Sequence, residues 1–492
     1  MNDGTSTSAS ARVREELGHP VIDADGHIQE YLPHLLEFLR DSLGQPLFDQ
    51  YLSERSPLTA ILGEQSDLEQ RTRRRVPQSA WWGTPARNTL DLATSVLPRL
   101  LYERLDEFGI DFAVLYPTKA MGMAGVDRED MRLGLCQGFN RYAAEVYGRF
   151  ADRLTVAGVI PMHRPEEAVA EIRSCHDLGL KVVGLPEGVL RPIAEPGAPS
   201  PWLIPGQTHW FDTFGVDTAY DYDPVWEALD ELGMAATFHG GMGNLMPFTY
   251  TSVTNYVHNH VGFFADRMQK LCKSLFLGGV TSRFPQLNIA FLECGVGWAC
   301  SLLMDLVEHW EKRNIDALRE RLDPATIDWE RLEELFLAYG DDAIAGQSSD
   351  ELQQGMHSVP AVGVVPPELD EFAAAGIETK ADIETRFVPR FYFGCEADDR
   401  AVAFAFSKAN AFGATLRPIF SSDISHWDVE EMAGVVDEAH SLVRGGLLTD
   451  DQFRQFVFDN PARLFTERNP SFFEGTAVQA PVEGLRVGGM AR

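Results

Sequence analysis

Eight short apolar runs recur along this chain, and most are separated by segments of helical periodicity. The runs are "PVIDAD" (20–25), "IDFAVLYP" (110–117), "LTVAGVIP" (154–161), "LKVVGLP" (180–186), "MAATFHG" (234–240), "LNIAFLE" (287–293), "RFYFGCE" (390–396) and "LRPIFSSD" (416–423). Each is dense in β-branched or aromatic residues and stops at a polar, proline or glycine signal. Amphipathic stretches lie between them: "PEEAVAEIRSCHDLG" after the third, "DPVWEALDELG" before the fifth, "CSLLMDLVEHWEKR" after the sixth and "DRAVAFAFSKANAFG" after the seventh. Strands that alternate with helices pair in parallel, because only a long crossover returns the chain to the same end of a sheet. Eight such units predict an α/β chain folded as a closed (β/α)8 TIM barrel. An open dinucleotide-binding sheet is the competing fold. It fails because no GxGxxG follows the first strand, and "GGMGN" at 240–244 has the wrong spacing and follows the fifth.

The boundaries follow from this pattern. Residues 18–471 are expected to form one barrel domain, preceded by a disordered segment at 1–17 and followed by a C-terminal arm at 472–492. The arm, "FFEGTAVQAPVEGLRVGGMAR", is rich in glycine, proline and alanine and reads as flexible or partner-wrapping. Two insertions, about 32–104 and 314–380, exceed ordinary loop length, as lids or subunit contacts do. Trp81 and Trp82 in the first either line a substrate pocket or pin the loop; with Tyr116, Phe248 and Tyr250 they suggest an aromatic or otherwise apolar pocket.

Charge narrows the function. The chain carries 42 basic and 73 acidic residues, a net charge of −31, which repels phosphate backbones and anionic lipid. Neither nucleic acid nor membrane is an expected partner; a small molecule is. The six cysteines are scattered without a CxxC pair, which fits reduced thiols in the cytoplasm. The N-terminus lacks the apolar core of a signal peptide, and no apolar run approaches about 18 residues.

In a parallel barrel every strand's C-terminal end opens on the same face. Read in order, those ends are Asp25 and His27, Tyr116, His163, Glu187, His239, Glu293, Glu396 and Asp423. Imidazoles and carboxylates converging on one mouth are the donors of a divalent metal site, and they suit zinc, manganese and iron. Each residue also has an ordinary reading. An Asp-x-His pair arises by chance, His239 could be a hydrogen-bonded structural group, and Asp423 could cap a helix. Their joint register on separate strands favours the metal.

These residues carry a resemblance. "DADGHIQE", "FHGG", "GGVTSRFPQLNIAFLECGVGW", "FSSDISHWD" and "DNPARLF" resemble the amidohydrolase superfamily, specifically the branch of aminocarboxymuconate semialdehyde decarboxylase and γ-resorcylate decarboxylase, over roughly residues 20–465. The resemblance implies one divalent ion, zinc foremost, on Asp25, His27, His239 and Asp423. Asp25 stands where the family's first histidine stands. Glu293 stands where the decarboxylases have a histidine beside the metal. Lys181 lies at the start of the fourth strand, so no bridging lysine for a second ion is expected. A homodimer is implied by the relatives.

Two reactions are expected of such a site. The first is hydrolysis of a C–N, C–O or activated C–C bond by metal-activated water, with Asp423 or Glu293 moving the proton. The alternative is non-oxidative decarboxylation of an aromatic or enoic acid, with Asp423 protonating the carbon and a basic clamp, Lys119 or Arg267, near the mouth. Arg267 reads more readily as a helix-surface residue. A catalytically retired metal-binding barrel is a third reading. Glu30, His426, Glu396 and His260 are expected to contact substrate, His260 more than His258 because i and i+2 diverge on a helix.

Overall fold

The computed structural model describes residues 8–54, 68–78, 87–194, 206–241, 251–322, 326–356 and 370–489. All eight predicted runs are strands, and the third is split in two. The strands are β1 (Ile22–Ile28), β2 (Phe112–Pro117), β3 (Leu154–Val156), β4 (Gly158–Val159), β5 (Val183–Pro186), β6 (Val189–Pro192), β7 (His209–Asp212), β8 (Ala236–His239), β9 (Ile289–Phe291), β10 (Phe391–Cys395) and β11 (Arg417–Phe420). β1, β2 and β3 pair in that order, and β4, β5, β8, β9, β10 and β11 follow, all parallel.

Two joints close these sheets into one ring. At the first, Ala157 N–H donates to Leu115 O and Gly158 N–H to Val182 O, both at 2.9 Å. The third stave therefore pairs backward through β3 and forward through β4. At the second, Asp423 N–H donates to Asp25 O (3.1 Å) and His27 N–H to Ile424 O (3.0 Å), joining β11 to β1. The protein is a closed (β/α)8 barrel. Every residue of β1 is buried, as expected of parallel strands covered on both faces. Tyr116 on β2 donates across the lumen to Thr237 Oγ1 on β8 at 2.8 Å, so the interior is packed.

Three expectations are corrected. Residues from 8 onward are not disordered: Ser8 Oγ accepts from Ala11 N–H (3.0 Å) and caps a helix, Ala9–Glu16, which Arg14 ties to Asp111. The C-terminal arm is not flexible where it is described. Phe472 and Phe473 are buried, their rings 6.4 and 5.2 Å from Phe112 at the start of β2, and a helix follows at Gln479–Gly489. Apolar burial outweighs its glycine and proline content. Lys181 Nζ donates to Phe472 O at 2.6 Å, so this lysine is spent fastening the arm at the end opposite the mouth. Third, β6 and β7 form an antiparallel hairpin beyond β5 that the apolar pattern did not reveal.

Both insertions are largely helical where they are described. In the first, Leu35 and Leu39 of helix Leu32–Leu43 are buried. In the second, helix Trp329–Tyr339 buries none of its residues. Among the described residues no helix is long and apolar enough to cross a membrane.

Candidate active site

Side-chain alternation builds most of the mouth. Phe238 packs toward Trp226 on the helix layer (6.3 Å between rings), so its neighbours Thr237 and His239 face the lumen. β1 needs an irregularity to do the same. Asp23 pairs with Ala113 but Gly26 with Leu115, so one extra residue bulges between them and re-aims Asp25. The bulge needs glycine: a Cβ on Gly26 would stand 2.6 Å from Asp23 Oδ2 and 3.0 Å from Ile424 Cγ1. Asp23 accepts from Ser422 N–H (2.9 Å) and from Ser422 Oγ, locking the loop that carries Asp423 to β1. The apolar pattern carries no sign of this positioning role.

Glu293 and Asp423 reach the mouth through strained backbone. Glu293 shares the parity of Phe291, whose ring packs on Trp298 of the helix layer (6.0 Å). Alternation alone would turn it outward. Left-handed φ values of 50° at Glu293 and 53° at Asp423 redirect both.

The five side chains converge. His239 Nε2 lies 3.3 Å from His27 Nε2, 3.2 Å from Glu293 Oε2 and 3.7 Å from Asp25 Oδ1. His27 Nε2 lies 3.2 Å from Asp423 Oδ1 and 3.9 Å from both Asp25 Oδ1 and Glu293 Oε2. The donors form two overlapping groups that share His27: Asp25, His27 and His239 in one, and His27, Glu293, Asp423 and His426 in the other, each with its ligand atoms within 4.8 Å of one another. The buried oxygens Asp25 Oδ1, Glu293 Oε2 and Asp423 Oδ1 have no hydrogen-bond partner. No lysine or arginine among the described residues pairs with these carboxylates. Buried, orphaned anionic donors facing two imidazoles fit a divalent cation. His239 Nδ1 is 2.7 Å from Gly240 O, which orients Nε2 inward.

Electrostatics agree. Burial holds the Asp25, Glu293 and Asp423 carboxyls well above their ordinary range, and neighbouring acids add to it. Burial, with His426 and His239 nearby, pushes His27 well below its ordinary value, so it is a neutral imidazole able to ligate. A cation at the centre would restore the carboxylates to anions.

The remaining predicted residues divide. His426 is at the centre: its ring stacks on His27 (3.9 Å, 23°), Nδ1 lies 2.7 Å from Asp423 Oδ1 and Nε2 3.2 Å from Thr118 Oγ1. Glu396, past β10, is open to solvent yet crowded by protein and acids. Burial and then the charges of Glu293, Asp398 and Asp428 raise its carboxyl to about 8. Glu30's two oxygens accept from the Lys119 and Ala120 backbone N–H groups at 2.9 and 3.0 Å, tying β1 to the loop after β2. His260 backs the mouth at one remove, its ring 6.2 Å from Phe264, which lies 6.1 Å from His239. Arg267 is not a helix-surface residue. It is 5% exposed and paired with Glu187 at the end of β5. Trp81, Trp82, Phe248 and Tyr250 lie outside the described residues.

A closed parallel barrel with a histidine–carboxylate donor ring at its C-terminal mouth is the architecture of a metal-dependent barrel enzyme. The chain belongs to the amidohydrolase family, whose model matches residues 79–345, over half its length. Three solved structures similar to it are an amidohydrolase from Mycobacterium avium subsp. paratuberculosis K-10, 2,6-dihydroxybenzoate decarboxylase from Rhizobium and 5-carboxyvanillate decarboxylase from Sphingomonas paucimobilis. The first is 16% identical, with 91% of this chain and 100% of that chain covered and a TM-score of 0.47. The second is 14% identical, with 91% and 99% covered and a TM-score of 0.42. The third is 13% identical, with 91% and 98% covered and a TM-score of 0.46. No curated protein matches the chain.

Proposed function

We propose that the chain catalyses non-oxidative decarboxylation of a small aromatic or enoic acid, the second of the two reactions expected from its sequence. The observation that supports this choice is the place of Glu293. Its Oε2 stands inside the donor ring, 3.2 Å from His239 Nε2, rather than behind it as a free base for water. Asp25, His27, His239, Glu293 and Asp423 would hold the ion. When bound, a divalent cation polarises an oxygen of the substrate and stabilises the negative charge that develops there.

The chain's own residues supply the proton. The bond between the substrate carbon and its carboxyl group breaks, the electron pair stays on the carbon, and that carbon takes a proton as CO2 leaves. Asp423 was the expected donor, but its Oδ1 would be a ligand of the ion and lies 2.7 Å from His426 Nδ1. Glu396, whose carboxyl is raised by burial and by the neighbouring acids, is the better donor, and solvent restores its proton. Zinc, manganese or iron would serve, and we expect a homodimer in solution.

Hydrolysis is the second reading, favoured by the Asp423–His426 couple, which could take a proton from water. The test is to supply the metal-loaded chain with hydroxybenzoates in D2O. CO2 release with deuterium at the vacated carbon is expected. Absence of CO2 across the panel, with 18O from water entering an ester or amide product, would establish hydrolysis instead.

A further inference from the structure

We propose that Arg267 is the anion anchor of this site, gripping a carboxylate or phenolate of the substrate, an inference that rests on the carboxylated substrate proposed above. The donor ring and rim are rich in acids, so an anionic substrate needs a positive partner from the protein. Arg267 lies in the second turn of helix Phe263–Leu277, which follows the β8 loop. Its guanidinium stacks on Phe263 at 4.1 Å; Phe263 lies 5.0 Å from Phe264, and Phe264 edges His239 at 6.1 Å. Nη1 is paired with Glu187 Oε1, which also accepts from Gly241 N–H at 3.3 Å, two residues past His239. The group is thus fixed beside the backbone of the metal-binding strand's end.

One donor is left over. Arg267 Nη2 is buried and has no hydrogen-bond partner. A buried guanidinium nitrogen without an acceptor is costly, and a planar fork is the geometry that meets an oxyanion. Arg71 also leaves a buried nitrogen, Nε, without a partner, but its Nη1 already donates to Gln78 Oε1 at 2.6 Å. Segments 79–86, 195–205 and 242–250 contain neither lysine nor arginine. Lys119 Nζ already donates to Glu30 O at 2.7 Å. Glu187 holds Nη1 and so competes with an incoming anion for the guanidinium.

That competition provides the test. The full-length, manganese-loaded chain is titrated calorimetrically with benzoate and with its neutral isostere benzamide. Benzoate should bind more tightly. Arg267→Gln should weaken benzoate roughly tenfold or more, leaving benzamide affinity and metal content unchanged. Glu187→Gln should tighten benzoate, because it frees Nη1; damage to the fold would act the other way. Benzoate affinity unchanged in Arg267→Gln, or unchanged or weakened in a Glu187→Gln variant that keeps the wild-type melting temperature and metal content, overturns the proposal. Should Arg267→Gln fail to fold, Glu187→Gln decides alone. A chain whose benzoate affinity follows Arg267 but that releases no CO2 keeps this inference and loses decarboxylation. Equal CO2 release by the wild type and Arg267→Gln at low substrate loses this inference alone.

Discussion

Glu396 makes the residue-scale account testable by pH. An acid raised from 4.5 to about 8 keeps its proton below that value and loses it as the pH rises through it. Bound cation and solvent reach both favour the anion, so decarboxylation should fall off at or somewhat below pH 8. Glu396→Gln should remove that limb together with most of the rate, as a pH–rate profile would show. Stability carries the same sign. Folding favours the protonated form, so this group's contribution is lost as pH rises from the usual value toward the folded one. Glu396→Gln should therefore melt above the wild type at pH 8 and with it at pH 4. Asp25, His27, His239 and Asp423 were legible as neighbours at one mouth because each lies at or just past the end of a recognisable strand. Glu293 was legible as a site residue but not as a ring member, since left-handed backbone overrides its parity. Arg267 was misplaced because a helical stretch does not reveal which polar residue turns inward to meet Glu187.

Elements decide how the donors are held. The bulge in β1 gives that strand its reach past Asp25, and Gly26 permits it. Gly26→Ala would force a methyl group into Asp23 Oδ2 and the Ile424 side chain. Overpacking of this kind costs about 1–3 kcal/mol, and the variant should also bind metal more weakly because Asp23 steadies the Asp423 loop. Urea unfolding and metal analysis would check both. The eight staves were readable because buried parallel strands are continuous apolar runs. The β6–β7 hairpin was not, since Val189–Pro192 and His209–Asp212 are short and mostly not buried. The bulge was equally hidden, because a register shift leaves no mark on an apolar pattern.

The whole molecule is fastened at the end opposite its mouth by a segment whose composition suggested a loose arm. Phe472 is 1% exposed and stacks on Phe465 at 4.7 Å. Phe472→Ala should cost about 3–5 kcal/mol in chemical unfolding, whereas a flexible arm would tolerate it. Chelation should lower the melting temperature as well, since an ion at a hundred times its dissociation constant adds about 2.7 kcal/mol. Everything said of the chemistry depends on one ion held in common by Asp25, His27, His239, Glu293 and Asp423. Anomalous scattering from crystals soaked in manganese tests that most directly. A single peak about 2.0–2.2 Å from Nε2 of both His27 and His239, with the three carboxylates around it, is the predicted result. No peak at that point in crystals that take up manganese elsewhere would contradict the account.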